Sequence, residues 1–546
     1  MKALKVLTVL LIALATCPDE VGGAARPYLA RKGTATQLIV DGRPFIMLAG
    51  ELHNSSSSGL EYMERMWPKL KALHLNTVIA ATSWELVEPQ EGQFDFSLID
   101  GLLAQARQHE MRLVLLWFGS WKNGVSSYAP PWVKKDTMRF HRCLGSSNLN
   151  TKDVLTPLSQ ETRRVEAKAF ATLMRHLRQV DGDQHTVVMV QVENEVGIMP
   201  EPRDLSPQAD AAFNSSVPPE LMSYLAAHRD SLIPELHSHW EKTGFRMTGT
   251  WTKVFGEGLQ TAEIFSAWHY ATYMNAVARA GKAEYPLPMY VNAWLRGPDG
   301  KPGDYPSGGP LAHVMDVWRA GAPDIDLLAP DIYLPDFKGI CAEYTQSGNP
   351  LLIPEARTDD EAVARAFFAV AEHDALCFAP FGIEDLRDGH PLSDGYRILQ
   401  QLMPFITAAH GGNRMVGIYR QDREKEQPDD PIAVGDYRAN IRYMTWGIPE
   451  EAPRYGLIIQ TGAEEFVVAG YGIEVSFRAT TPGPRYTNIL DVQMGHFENG
   501  QWQCELPLNG DETAANSVAK IPPNTRNTFL DCSKPRILKV RVYRHD

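Results

Sequence analysis

The chain has 546 residues, 44% of them hydrophobic, enough to bury a sizeable core and too long for one ordinary domain. Its 66 acidic and 53 basic residues leave a formal net charge of -13, which argues against nucleic acid or anionic membrane as partners and fits a protein acting on something neutral. In chain order, Lys2 and Lys5 precede an apolar run over residues 6–15, and Ala24 and Ala25 precede Arg26. The run has signal-peptide length and is too short to span a bilayer, so residues 1–25 are expected to be a signal peptide and the mature protein to be exported, periplasmic or secreted. The alternative is Leu14-Ala15-Thr16-Cys17, a lipoprotein box with a poor residue before Cys17, which would tether the protein to the outer membrane. No other stretch is apolar enough to form a transmembrane segment.

The next segments alternate strand, loop and helix. Apolar runs over 45–50, 76–81, 112–118, 187–192, 289–294, 325–333, 351–355 and 375–381 read as strands. The stretches 60–73, 98–109, 161–180, 262–280, 311–320 and 360–373 read as amphipathic helices. Eight strands with helices between them predict a (β/α)8 TIM barrel over residues 26–411. A short strand at 36–40 and the turn Asp41-Gly42-Arg43 lead into it. Two long excursions follow the third and fourth strands. From residue 412 the character changes to short β-branched runs separated by turns, such as 455–460, 465–469, 473–477 and 537–542, which predict an all-β, sandwich-like domain over 412–546. The charge run 422–426 reads as a solvated loop.

Six cysteines are spread along the chain, none at zinc-ligand spacing. Cys504 and Cys532 fall in the C-terminal domain and are the expected disulfide pair of an exported protein. His237 and His239 lack a third ligand at helical spacing and read as a surface pair. No metal or cofactor is expected.

The chemistry gathers at two strand ends. Val187-Val188-Met189-Val190-Gln191-Val192 runs directly into Glu193-Asn194-Glu195-Val196-Gly197, and Leu351-Leu352-Ile353-Pro354 runs into Glu355. Carboxylates at the end of a buried strand are costly to desolvate unless something pairs with them, and the C-terminal ends of barrel strands are where barrel enzymes do their chemistry. Strands four and seven lie nearly opposite in an eight-stranded barrel, so their glutamates can face one sugar from two sides, as a glycosidase requires.

Gln191-Val192-Glu193-Asn194-Glu195-Val196-Gly197 resembles the acid/base motif of glycoside hydrolase family 35, the β-galactosidases of clan A. Gly50-Glu51-Leu52-His53, Leu75-Asn76-Thr77-Val78 and Trp84-Glu85-Leu86-Val87-Glu88-Pro89 carry the resemblance further. It is strong over about residues 38–200, and beyond that it rests on the strand-seven glutamate. It implies a retaining mechanism with Glu195 as acid/base and Glu355 as nucleophile, Asn194 as a donor to the sugar 2-hydroxyl, and Tyr333 near the nucleophile. The chain departs from the family where Ala81-Thr82-Ser83-Trp84-Glu85 and Trp117-Phe118-Gly119-Ser120-Trp121-Lys122-Asn123-Gly124 replace its galactose-reading residues. In this it is similar to a divergent bacterial subgroup with a short β-rich C-terminal domain, some of whose members remove galactose from xyloglucan side chains. Glu51 is a candidate sugar contact or barrel-floor ion-pair partner, and Trp84 and Trp121 are candidate stacking platforms. The expectation is an exo-acting β-galactosidase with a carbohydrate substrate. The alternatives are another clan A retaining enzyme of endo-glucanase type and a non-catalytic carbohydrate-binding surface protein.

Overall fold

A computed structural model describes residues 25–146, 153–421, 427, 430–523, 531 and 533–546. The expected export signal with Cys17, the charge run 422–426 and Cys532 with its expected pairing to Cys504 lie outside the described residues.

Three antiparallel strands open the fold: β1 (Tyr28–Lys32), β2 (Ala35–Val40) and β3 (Arg43–Phe45). The barrel staves follow as β4 (Met47–Glu51), β5 (Thr77–Ser83), β6 (Arg112–Lys122), β7 (Val187–Asn194), β8 (Met289–Trp294), β9 (Leu327–Ile332), β10 (Leu352–Ile353) with β11 (Glu355–Ala356), and β12 (Cys377–Phe378). All pair in parallel. The seventh stave is split at Pro354, which has no N–H to give to a ladder. Its first half pairs with β12 and its second with β9, so the two halves together close the barrel. Every residue of β7 is buried, as its unbroken apolar run requires in a sheet covered on both faces. Leu38 and Val40 of β2 join Met47, Val114, Met189 and Leu327 in the barrel interior and plug its lower end.

A helix follows each stave: Leu60–Ala72, Ser97–Gln108, Gln160–Asp181, Leu259–Glu284, Met315–Gly321, Phe337–Tyr344, Ala362–Glu372 and Pro391–Ala409. The last of these, within the expected barrel segment 26–411, was not among the expected helices. Its signal is present: Pro391 at the first turn, then buried Leu392, Tyr396, Leu399, Leu402 and Ile406 at helical spacing. The excursion after β7 folds as four short helices, Pro207–Phe213, Pro219–Ala227, Pro234–Glu241 and Trp251–Phe255, three of them opened by proline.

Among the described residues beyond the barrel, two antiparallel sheets of six and four strands enclose their own apolar cluster, with Val434, Ile458, Phe466, Val475, Leu538 and Val540 at its centre. The strand Met415–Tyr419 lies against the helix Ala362–Glu372, where Glu372 accepts the Gly417 N–H (3.0 Å) and Glu361 accepts the Tyr419 hydroxyl (2.6 Å).

Two stave boundaries differ from expectation for a physical reason. Phe45 belongs to the antiparallel β3, so the first stave begins at Met47. The third stave continues past Phe118 to Lys122, because its ladder with β7 jumps from Trp117↔Val192 to Lys122↔Asn194 across a bulge.

Candidate active site

The site starts from the end of β7. Glu193, Asn194 and Glu195 are buried, and Glu193 and Glu195 have φ of 64° and 46°. Left-handed backbone at a non-glycine residue costs about 1–3 kcal/mol and persists only where its surroundings hold it. Here the bulge of β6 does so. The Glu193 carboxyl accepts three successive backbone N–H groups, from Gly119 (3.2 Å), Ser120 (2.7 Å) and Trp121 (2.8 Å). A Cβ at Gly119 would stand 2.5 Å from Glu193 Oε1, so only glycine lets the bulge approach this closely. Glu166 completes the buried cluster, accepting from Trp117 Nε1 (3.1 Å), the Tyr273 hydroxyl (2.8 Å) and the Ser120 hydroxyl. Burial first, then the charge of Glu166, pushes Glu193 well above the usual carboxyl range. At Glu195 the backbone N–H is held by Asn292 Oδ1 of β8 at 2.9 Å.

Across the barrel mouth, Glu355 opens β11 directly after Pro354. Its Oε1 accepts from Asn194 Nδ2 (3.2 Å) and its Oε2 from the Tyr333 hydroxyl (2.7 Å). Asn194 is oriented in turn by Lys122 Nζ, 2.8 Å from its Oδ1. Glu195, Glu355 and Asp331 each place one carboxylate oxygen within 4.8 Å of the other two. Asp331 Oδ2 accepts from Asn292 Nδ2 (2.8 Å), so Asn292 ties the Glu195 backbone to Asp331.

The electrostatics separate the groups. Glu195 is pushed up from 4.5 to about 7, by burial first and by the charge of Glu355 second, with Lys122 opposing. It therefore holds a proton near neutral pH. Burial, then Glu355, drives Asp331 well above the usual range. Burial and then Glu355 raise the Tyr333 phenol far enough that it remains a donor.

These groups line a cavity of about 470 Å³ at the C-terminal mouth of the barrel, which Glu195, Glu355, Asp331, Tyr333, Lys122 and Trp294 help to form. Residues beyond Phe381 do not reach it among those described.

Three expected sugar contacts lie elsewhere. Trp84 is fully buried, with its Nε1 on Glu88 Oε2 at 2.8 Å. Trp121 is buried with its ring against Tyr270 and Tyr273 (centroids 5.2 and 4.7 Å) and its Nε1 on the Leu155 carbonyl. Both are core rather than stacking platforms, because the bulge turns Trp121 away from the mouth and onto the helix Leu259–Glu284. The aromatic that faces the cavity is Trp294, 42% exposed at the end of β8. Glu51 is buried and does not line the cavity, and neither of its oxygens has a hydrogen-bond partner among the described residues. Burial, then Glu355, pushes it well above the usual range, and it forms no ion pair among the described residues. Asn194 is enclosed and touches Glu355, while Tyr333 both lines the cavity and touches Glu355.

Asn292, Asp331, Lys122 and Trp294 were not among the expected site residues. Two of them carried the same signal as the glutamates, a polar residue near the end of an apolar stave: Asn292 in Tyr290-Val291-Asn292-Ala293 and Asp331 in Ala329-Pro330-Asp331-Ile332. Glu195, Asp331 and Glu355 bring three carboxylate oxygens together, and the Lys122 amine lines the same cavity. His239 is buried with Nε2 3.1 Å from the Thr261 hydroxyl, and His237 stacks at a tilt on Phe245.

Residues 57–249, which include Glu195 but not Glu355, match the family model of glycoside hydrolase family 42, described as β-galactosidase. Residues 392–519 match a domain of unknown function, DUF5597. A β-galactosidase of Xanthomonas manihotis is 39% identical over 89 residues, covering 16% of this chain and 14% of that protein. Among solved structures, the β-galactosidase of Bacillus circulans sp. alkalophilus aligns at 15% identity with a TM-score of 0.44, covering 65% of this chain and 56% of that one. The β-galactosidase of Halorubrum lacusprofundi aligns at 15% identity and 0.45, covering 65% and 58%. The catalytic domain of a β-amylase from Paenibacillus polymyxa aligns at 11% identity and 0.45, covering 65% and 98%. The chain thus spans 14% of the length of the curated relative and little more than half of these two β-galactosidases. Over 57–249 the sequence is similar to β-galactosidases, and the family model it matches there is that of family 42, not the family 35 that its motifs resemble.

Proposed function

We propose that this protein is a retaining, exo-acting β-galactosidase that removes terminal β-galactosyl residues from oligosaccharides or from plant polysaccharide side chains such as those of xyloglucan. The observation that carries the proposal is the approach of the Glu195 and Glu355 carboxylate oxygens to within 4.8 Å across one cavity. Carboxyls about 5–5.5 Å apart suit a double displacement, whereas an inverting pair needs roughly 6.5–9.5 Å to admit a water between them. Glu355 attacks the anomeric carbon while Glu195 gives its proton to the departing glycosidic oxygen, leaving a glycosyl ester on Glu355. Because the charge of Glu355 is the second cause of the raised Glu195 pKa, forming that ester lowers it. Glu195 is then ready to take a proton from the water that hydrolyses the ester. Asn194 and Tyr333 hold the two Glu355 oxygens in place for attack. The signal-like patterning of residues 1–25 supports export, which would bring the enzyme to polymeric substrates outside the cytoplasm.

The test is release of nitrophenol from an aryl β-galactoside by the wild type and its loss in Glu355→Ala, with proton NMR following which anomer of galactose appears first. The β-anomer is expected. The α-anomer first would mean inversion, and binding of galactosides without turnover by the wild type would mean a carbohydrate-binding protein.

A further inference from the structure

A second cavity of about 590 Å³ adjoins the first, and Leu295 and Leu334 line both. It lies between the segments that follow β8 and β9, with the excursion helix Pro234–Glu241 on one side and the helix Phe337–Tyr344 on the other. Its volume is within the roughly 300–1,000 Å³ range of pockets that enclose ligands. Apolar surface from Pro298, Ile340 and Tyr344 alternates with the polar groups of Glu235, Arg296 and Glu343, the mixture that recognises a sugar, with its apolar faces and hydroxyl edges. The walls are braced: Arg296 is gripped bidentately by Glu235 (3.0 and 2.9 Å), and the His313 ring is held by buried Glu263 at 2.8 Å.

We infer that this second cavity binds the leaving-group side of the substrate, and that the substrate is a galactosylated neutral oligosaccharide or polysaccharide branch. The inference rests on the proposed galactosidase reaction and names its substrate class. The side follows from the chemistry. Glu195 must touch the glycosidic oxygen, so the leaving group departs on the side of β7, and the next stave is β8, beyond whose end the second cavity opens. Trp294 is exposed at the mouth and Leu295 sits at the junction, so a chain leaving the first cavity crosses apolar surface before reaching the second. The class follows from charge. The Arg296 guanidinium is already paired with Glu235, and Asp336 and Glu343 add negative charge, which disfavours uronic or sulfated units.

The experiment compares kcat/KM of the wild type for nitrophenyl β-galactoside and for β-galactosides whose leaving group is a neutral oligosaccharide of increasing length, alongside a length-matched uronic-acid series. For the neutral series, kcat/KM should rise by about tenfold or more and then level off once the second cavity is filled. Gly297 lines this cavity, and a Cβ there meets nothing within 4 Å, so Gly297→Trp introduces an indole at the cavity wall without a backbone clash. It should lower the ratio of oligosaccharide to nitrophenyl kcat/KM by about tenfold, the nitrophenyl rate serving as the check on folding. An active wild type with a flat length series, an unchanged ratio in Gly297→Trp, or a preference for the uronic series would each overturn the inference and leave the galactosidase reading standing. A wild type that cleaves no β-galactoside of any length would overturn the reaction itself and the inference with it. The wild-type series decides the matter even if Gly297→Trp does not fold.

Discussion

Glu195→Gln should change how the stability of the barrel depends on pH, in a direction and by an amount that the site dictates. In the folded protein Glu195 is 5% exposed, and it keeps its proton up to about pH 7; in the unfolded chain it loses it near 4.5. Between those values the native state binds more protons than the unfolded one, so stability falls as pH rises. The contribution is fully present below about 4.5 and is lost above about 7. A shift from 4.5 to about 7, at about 1.4 kcal/mol per pKa unit, corresponds to roughly 3 kcal/mol. Glutamine does not titrate and removes this contribution, together with the part that Glu195 adds to the raised Asp331 and Glu51 carboxyls, which acts in the same direction. Urea unfolding followed by tryptophan fluorescence, run on both proteins at pH 4.5 and pH 8, reports the difference. The variant should gain about 3 kcal/mol relative to wild type on going to the higher pH. The same proton should set the alkaline limb of the wild-type kcat/KM profile, with an inflection near 7. A relative gain below about 1 kcal/mol, or a gain at the acid end, would refute the view that burial and Glu355 keep this carboxyl protonated.

The two glutamates should be distinguishable by azide. Glu195→Ala, given a dinitrophenyl galactoside that needs little protonation to depart, should be rescued by azide as the β-galactosyl azide, whereas Glu355→Ala should give the α-azide; the opposite pairing by proton NMR would reverse the assigned roles. Tyr333→Phe removes the hydroxyl 2.7 Å from Glu355 Oε2, and with a hydrogen bond to a charged group worth about 1.5–3 kcal/mol it should lower kcat roughly ten- to a hundredfold in steady-state assays without unfolding the protein. Glu193→Ala strands the buried N–H groups of Gly119, Ser120 and Trp121; at about 1–3 kcal/mol for each unsatisfied donor it should cost at least about 3 kcal/mol in denaturant unfolding, more than Glu193→Gln, whose single carbonyl oxygen can still accept the Gly119 and Trp121 N–H groups that share one carboxyl oxygen.

The alternation of strand and helix was legible because parallel staves are buried on both faces and the covering helices on one, so each type has its own period. What escaped was set by pairing rather than by composition. Residues 119–122 continue the third stave only because Glu193 draws their N–H groups inward, a contact between residues more than seventy positions apart. The helix Pro391–Ala409 was legible in its apolar spacing. Its place as the cover of the last stave depended on a strand reduced to Cys377–Phe378, whose apolar flanks at 375–381 resemble a longer one.

At the site, the two polar signals of the staves outperformed the aromatic one, and desolvation explains why. A carboxyl or amide at the end of an apolar stave is costly to bury without a partner, so its presence points to a polar centre at that end of the barrel; Glu51, buried with no hydrogen-bond partner among the described residues, is the exception. Glu195 and Glu355 meet this condition, as do Asn292 and Asp331, which bond to each other. A tryptophan imposes no such requirement. Its ring is stabilised equally by a sugar face or by Tyr270 and Tyr273, and its single N–H is satisfied by one carbonyl. Trp121 took the second course and Trp294 remained at the mouth. Position in a long loop does not separate the two outcomes, whereas position at the last residue of a stave does: Trp294 ends β8 just as Glu355 opens the half-stave β11, and both project into the same cavity.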